Sequence, residues 1–333
     1  MTDELARTLT EAVRFLQDRD DFLVVAHTNP DGDATASVLA MACILERMGK
    51  RYTLANEGET PRRYGFLPRA DRIVNHQLHP LARTYGTVIA LDCADLDRIG
   101  EVRAVLAPDA AVLNIDHHVT NTRYGAVNLV VPDDAATAQV VYRLAKAAGI
   151  VLDEELATCL YAGILSDTGG FRYANTTAEV LRVAGELVAA GVRPDAVAER
   201  ILELLTEPQL RLLQRVLPSL ERHGDGRIAC LTVTLEDLAA AQATRGDLEG
   251  LVAYARNLEG VAVGVLFRED APDAVKVSLR AREPVDVARI AQEFGGGGHV
   301  RAAGCTLRVS LGEAKRRVIE RLERETEGLP LVP

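Results

Sequence analysis

Four short stretches of the chain combine carboxylates with imidazoles. His27, Asp31 and Asp33 fall in the run His27-Thr28-Asn29-Pro30-Asp31-Gly32-Asp33, Asp92 stands in Leu91-Asp92-Cys93-Ala94-Asp95, Asp116 precedes the pair His117-His118, and Asp167 opens Asp167-Thr168-Gly169-Gly170. Each stretch alone has an ordinary structural explanation. Asn-Pro-Asp-Gly is a good turn, Asp33 a good helix N-cap, Asp92 a cap for a βα loop, and paired histidines suit a solvated loop. Taken together they do not: Asp31, Asp33, Asp92 and Asp167 would carry four negative charges, and like charges at close range cannot all stay ionised without a counter-charge. Two divalent cations supply it. Oxygen ligands with one or two imidazoles and no thiolate suit Mn²⁺ or a similar first-row ion better than structural zinc, with Mg²⁺ or Co²⁺ as alternatives. Two such ions activate water and clamp a phosphorus centre, as in many phosphatases and nucleases.

For these groups to meet, the chain must carry them to one place. Residues 22–26, 87–91 and 112–115 read as buried strands, and each runs directly into one of the chemical stretches. Residues 34–48, 135–148 and 154–165 carry apolar side chains at helical spacing, the first two ending near Gly49 and Gly149. This alternation predicts an α/β fold, a mostly parallel sheet covered on both faces by helices, with the strand ends on one edge, where open α/β sheets bind ligands. From 176 to about 220 the pattern is helical only, broken by Gly191, Pro194, Pro208 and Pro218; strands at 227–234, 261–267 and 274–279 and a helix at 285–294 then predict a second, smaller α/β domain.

Composition narrows the function classes. A chain of 333 residues with 48% hydrophobic and 26% charged residues is long enough for two domains and is neither disordered nor collagen-like. A net charge of −10 argues against a long duplex or polymeric RNA held by phosphate neutralisation, while small anions remain accessible to locally gathered positive charge or metal. The five cysteines, without CxxC spacing, read as reduced thiols. Residues 2–20 read as an amphipathic helix rather than a signal peptide, and no apolar run reaches the roughly 18 residues of a membrane span. The expected location is the cytoplasm, away from membranes.

In this order, His27-x3-Asp31-x-Asp33, Asp92, Asp116-His117-His118 with Asn121, and Asp167-Thr168-Gly169 resemble the four motifs of the DHH phosphoesterases. Gly296-Gly297-Gly298-His299 followed by Ala302-Ala303-Gly304 resembles the signature of the DHH-associated domain. The resemblance covers nearly the whole chain, and family members of this size and layout are the NrnA-type oligoribonucleases, which also dephosphorylate 3′-phosphoadenosine 5′-phosphate (PAP). It implies a DHH domain over 1–190, a helical linker over 191–221 and a DHH-associated substrate-binding domain over 222–333. It implies further that His27 and Asp31 hold one metal ion and Asp33, His117 and Asp167 the other, with Asp92 bridging. His118 would face the substrate phosphate and Asp116 would orient a ligand imidazole, so that His118, Asp92 and Asp116 form the catalytic group; spacing alone leaves open which histidine of the pair is the ligand. The implied reaction is two-metal hydrolysis of short oligoribonucleotides to mononucleotides and of PAP to AMP and phosphate. The alternatives are hydrolysis of linear dinucleotides from cyclic-dinucleotide signalling, or a non-catalytic nucleotide-binding regulator, which should have lost a metal ligand; none is missing. The implied partners are short RNA, dinucleotides and PAP, with homodimer formation left open.

The glycine run at 295–298 reads either as a flexible hinge or as a backbone nest that admits a nucleotide. The strand Lys276-Val277-Ser278-Leu279-Arg280 places Lys276, Ser278 and Arg280 on one face, either solvated or functional. The resemblance favours function, with Ser278, Arg280, Gly296, Gly297, Gly298 and His299 as substrate-binding residues. His76 and His79 have metal-like spacing, yet Asn75 and Pro80 suggest an exposed turn. Cys93 reads as a small buried residue and His223 as part of a surface loop; Phe171, Arg172 and Tyr173 could stack a base or pack the core.

Overall fold

A computed structural model describes residues 3–329. The chain divides into two units between Leu204 and Leu205. The stretch expected as a linker is therefore shared between the units. Thr2, where the first helix was expected to begin, lies outside the described residues.

The first unit runs α1 (Asp3–Asp18), β1 (Phe22–Val25), α2 (Gly32–Arg47), β2 (Tyr52–Asn56), β3 (Val74–Asn75), β4 (Tyr85–Leu91), β5 (Leu106–Asp116), β6 (Val127–Val130), α3 (Thr137–Ala147), α4 (Glu154–Asp167), α5 (Ala178–Ala189) and α6 (Pro194–Ala198). Its six strands are all parallel, in the order β3-β2-β1-β4-β5-β6. All four residues of β1 are buried because both sheet faces are covered there: Phe22 and Val24 join one apolar cluster, Leu23 and Val25 the other. The larger cluster is built by α1 to α5, including Leu16, Leu39, Val140, Leu160 and Val183. The smaller is closed by Ile99 and Val102 of a 3₁₀ segment, Leu96–Val105. Gly100, at φ +63°, interrupts that segment.

The strand order matters for the site. From β1 the chain builds outward through β2 and β3, then returns to place β4 on the other side of β1. The order thus reverses between β1 and β4, and their C-terminal ends border the crevice where such sheets bind ligands. Helix α2 starts there. All but its last two residues are buried, and its small residues (Gly32, Ala34, Ala36, Ala40) let α3 and α4 approach closely.

The second unit comprises α7 (Glu207–Val216), β7 (Glu221–His223), β8 (Ile228–Val233), α8 (Leu235–Ala241), α9 (Leu251–Arg256), β9 (Val263–Ala271), β10 (Ala274–Ala281), α10 (Val287–Glu293), β11 (Gly297–His299), β12 (Ala302–Leu307) and α11 (Leu311–Thr326). Its sheet has the order β11-β12-β10-β9-β8-β7 and is antiparallel except for the pair β8–β9. One face packs on α10 and α11, the other on α7, α8 and α9. His223 ends β7, paired with Ile228, and is not in a surface loop.

The glycine run is neither a hinge nor an open nest. Gly297 to His299 form the edge strand β11, paired antiparallel with β12. A Cβ on Gly296 would run into the Gly304 carbonyl and Cys305, and Gly298, at φ +140°, would bring one to 2.5 Å from the Ala302 carbonyl oxygen. The glycines permit the close hairpin. No helix among the described residues is long and apolar enough to cross a membrane.

Candidate metal centre

His27 leaves the end of β1 with Nδ1 at 2.9 Å from the Thr28 carbonyl oxygen, an arrangement in which Nδ1–H donates to that carbonyl. Its Nε2 then faces Asp92 Oδ2 at 3.6 Å and Asp31 Oδ1 at 3.9 Å. Asp31 caps α2, accepting from the Ala34 N–H, while its side chain stays exposed. Asp33, in the first turn of α2, is fully buried and accepts from the backbone N–H groups of Thr137 at 2.6 Å and Ala138 at 2.9 Å.

Asp92 follows β4 with φ +58°, a left-handed conformation that Asp and Asn tolerate better than other non-glycine residues; Asn29 in the neighbouring loop shares it at φ +52°. Such backbone is found where surrounding structure holds a functional group in place. The carboxylate accepts from Thr137 Oγ1 at 2.8 Å and lies 3.7 Å from His117 Nε2 and 3.6 Å from His118 Nδ1. His117 sets Nδ1 against the Asp134 carbonyl oxygen at 3.2 Å and Nε2 at 3.3 Å from Asp167 Oδ2, at the end of α4. Asp116 accepts from His118 Nδ1 at 2.7 Å, from Asn121 Nδ2 at 2.6 Å and from the His117 N–H.

Three donor sets result, each with atoms within 4.8 Å of one another: His27, Asp31 and Asp92; Asp33, His117 and Asp167; Asp92, His117 and His118. Asp92 and His117 are each shared by two sets. The six side chains expected as metal ligands thus come together, from the ends of three neighbouring strands and two helices.

The electrostatics match the donor chemistry. Burial, reinforced by nearby carboxylates, pushes Asp33 and Asp167 well above the usual carboxylate range. Burial pushes Asp92 the same way, but His27, His117 and His118 outweigh it and hold that carboxyl down. His27 rises to about 9: burial works against its charge, and Asp92 and Asp31 more than compensate. Carboxyls pushed up by burial and by one another, set beside His27 and His117, whose Nδ1 atoms engage backbone carbonyls, form a donor set that fits divalent cations.

Other expected residues fall elsewhere. His76 and His79 lie at a turn whose residues 77–80 are exposed, as expected, but the His76 ring itself is buried; its Nδ1 accepts from the Leu81 N–H at 3.2 Å, and neither histidine joins a donor set. Cys93 is fully buried and its thiol is pushed up by burial. Phe171 packs edge-on against Tyr161, and Tyr173 is half exposed over Gly169. In the second unit, cross-strand register sets Arg280, Ala302 and His299 in one row and Ser278, Gly304 and Gly297 in the next. Burial of Val275, Val277 and Leu279 leaves Lys276, Ser278 and Arg280 on the opposite face. Thr137 and Ala138, which hold Asp33, were not anticipated; the one available signal was a threonine at the start of a helical pattern.

Residues 21–164 match the DHH family N-terminal domain, and residues 227–328 match the DHHA1 domain. The Thermus thermophilus protein named bifunctional oligoribonuclease and PAP phosphatase NrnA is 39% identical over 306 residues, covering 91% of this chain and 89% of that one. The chain belongs to the DHH family. A Bacillus subtilis protein of the same name is 29% identical, covering 92% of this chain and 95% of its own. The crystal structure of an exopolyphosphatase-related protein from Bacteroides fragilis superposes with a TM-score of 0.88 at 26% identity, covering 97% of each chain. In this DHH chain the family match spans five of the six expected metal ligands, and Asp167 lies just beyond it.

Proposed function

We propose that this chain is a divalent-metal-dependent phosphoesterase that hydrolyses short oligoribonucleotides to mononucleotides and PAP to AMP and phosphate, acting in the cytoplasm with Mn²⁺. The observation that carries this reading is the chain of shared ligands: Asp92 links the His27–Asp31 set to His117, and His117 belongs also to the set with Asp33 and Asp167, at the point where the strand order reverses. The similarity to proteins named NrnA supports the substrate class.

His27 and Asp31 would hold one ion, Asp33, His117 and Asp167 the second, and Asp92 would reach both. Bound there, the ions supply positive charge for the phosphoryl oxygens and lower the pKa of water. His118, anchored through Nδ1 to Asp116, which Asn121 holds in turn, is assigned to the phosphate through Nε2. In the second unit, Arg280, Ser278 and His299 are assigned to the nucleotide, and Gly296 to Gly298 to shaping the edge that carries His299. One centre serves both reactions because each breaks a bond between phosphorus and a ribose 3′-oxygen: water attacks phosphorus, and the 3′-hydroxyl of AMP departs from PAP as the 3′-hydroxyl of the neighbouring nucleotide departs from RNA.

Hydrolysis of PAP, the dinucleotide pApA and a long single-stranded RNA in the presence of Mn²⁺ tests this. The expected result is AMP from the first two and slow cleavage of the third. Faster cleavage of the long strand at equal concentration of ends, or no AMP from PAP, would overturn the reading.

A further inference from the structure

Helix α3 begins without a cap of its own. Ala136, at its N-cap position, offers no side-chain acceptor, and the helix instead receives Asp33, a carboxylate from α2, on the N–H groups of Thr137 and Ala138. Thr137 is fully buried and does a second thing: its hydroxyl donates to Asp92 Oδ1 at 2.8 Å. One residue therefore grips Asp33, assigned to one ion, through its main chain and Asp92, assigned to both, through its side chain. Asp33 and Asp92 come from different elements, the first turn of α2 and the end of β4.

We infer that Thr137 is a positioning residue that sets the separation of Asp33 and Asp92, and with it the register of the two metal positions. This rests on the two-ion reading above. The hydroxyl proton commits one lone pair of Asp92 Oδ1, so the carboxylate cannot rotate without abandoning a buried donor. The two N–H groups do the same for Asp33, one to each oxygen. Serine in place of threonine keeps both grips, alanine keeps only the main-chain grip, and valine keeps the shape of the side chain while losing the donor. Outer partners of this kind commonly govern 10- to 100-fold in metal affinity or activity.

The test uses the full chain, stripped of metal and titrated with Mn²⁺, followed by calorimetry and by the electron paramagnetic resonance spectrum of the loaded protein. The wild type is expected to take up two ions with the signal of a coupled pair. Thr137→Ser should keep both properties. Thr137→Ala and Thr137→Val should bind one ion roughly 10- to 100-fold more weakly and lose the coupled signal, with kcat for PAP falling and KM little changed. Alanine adds no atoms and so no clash, and the serine variant, which also lacks the γ-methyl, controls for the lost volume; together they decide the matter if the valine variant does not fold. Wild-type affinity and spectrum in Thr137→Ala, or equal damage in Thr137→Ser, would overturn the inference alone. A wild type that takes up a single ion would overturn the two-ion reading and this inference with it.

Discussion

Adding one methyl group at Gly163 should damage the site from behind. Gly163 lies in α4, and a Cβ there would sit 2.5 Å from Ala138 Cβ and 2.7 Å from Asp33 Oδ1. Carbon contacts are comfortable at about 3.5–4.0 Å, so the deficit is on the order of 1 Å. Neither obstacle is a flexible chain end: Ala138 is part of α3, and Asp33 is fastened to α3 by two N–H groups. Relief requires α3 and α4 to separate, carrying Asp33 away from His117 and Asp167. Overpacking of this size costs about 1–3 kcal/mol, against roughly 0.5–1 kcal/mol gained by removing a helical glycine. The net loss, up to about 2.5 kcal/mol, corresponds to a melting point lower by up to roughly 10 °C in a unit of this size. A displacement near 1 Å at a reacting centre costs on the order of 100-fold in rate. Gly185 in α5 is the control, because a Cβ there meets nothing within 4 Å; Gly185→Ala should raise the melting point and leave activity unchanged. Scanning calorimetry and AMP release from PAP measure both variants. A Gly163→Ala protein as stable and active as Gly185→Ala would refute the close packing of α4 against the acid.

Arg280→Ala and His299→Ala should lower kcat/KM on PAP and pApA by roughly 10- to 100-fold, the value of a charged hydrogen bond, while Mn²⁺ binding and turnover of a small aryl phosphodiester change little; equal losses on large and small substrates would contradict the assignment. Glu46 is held at about 2, well below its ordinary 4.5, chiefly by the Arg69 guanidinium, with Tyr52 and Arg72 adding to it. Because its folded pKa is depressed, its contribution to stability is present above 4.5 and lost as pH falls through about 2. Over that window the wild-type melting point should drop more steeply than that of Glu46→Gln, and parallel curves would show that this pair contributes nothing.

The central strands were legible because they are buried on both faces: β1, β4 and β5 appear as short apolar runs that end in the chemical residues. The edge strands were not. β3 has two residues, and β6 is Val-Asn-Leu-Val with one fully buried side chain, so neither carries the apolar signal of a covered strand. The gathering of the candidate ligands was legible for a similar reason, since parallel strands deliver their C-terminal residues to one edge whatever their separation in sequence. What escaped was anything defined by a tertiary neighbour. Thr137 reaches Asp33 across 104 positions and Asp92 across 45, and nothing beside it in the chain announces either contact. The glycine run left a hinge and a nest open as readings because its purpose lies in Gly304 and Cys305 across the hairpin. His76 looked exposed beside Asn75 and Pro80, yet the turn folds its ring inward onto the Leu81 N–H.

The claim that one pair of ions performs both reactions is tested most directly by titrating metal-free protein with Mn²⁺ while following AMP release from PAP and from pApA in parallel samples. The shared position of Asp92 predicts that both activities start from zero, rise along the same curve and level off at two equivalents per chain. Turnover of either substrate without metal, saturation at one equivalent, or separate curves for the two substrates would contradict it.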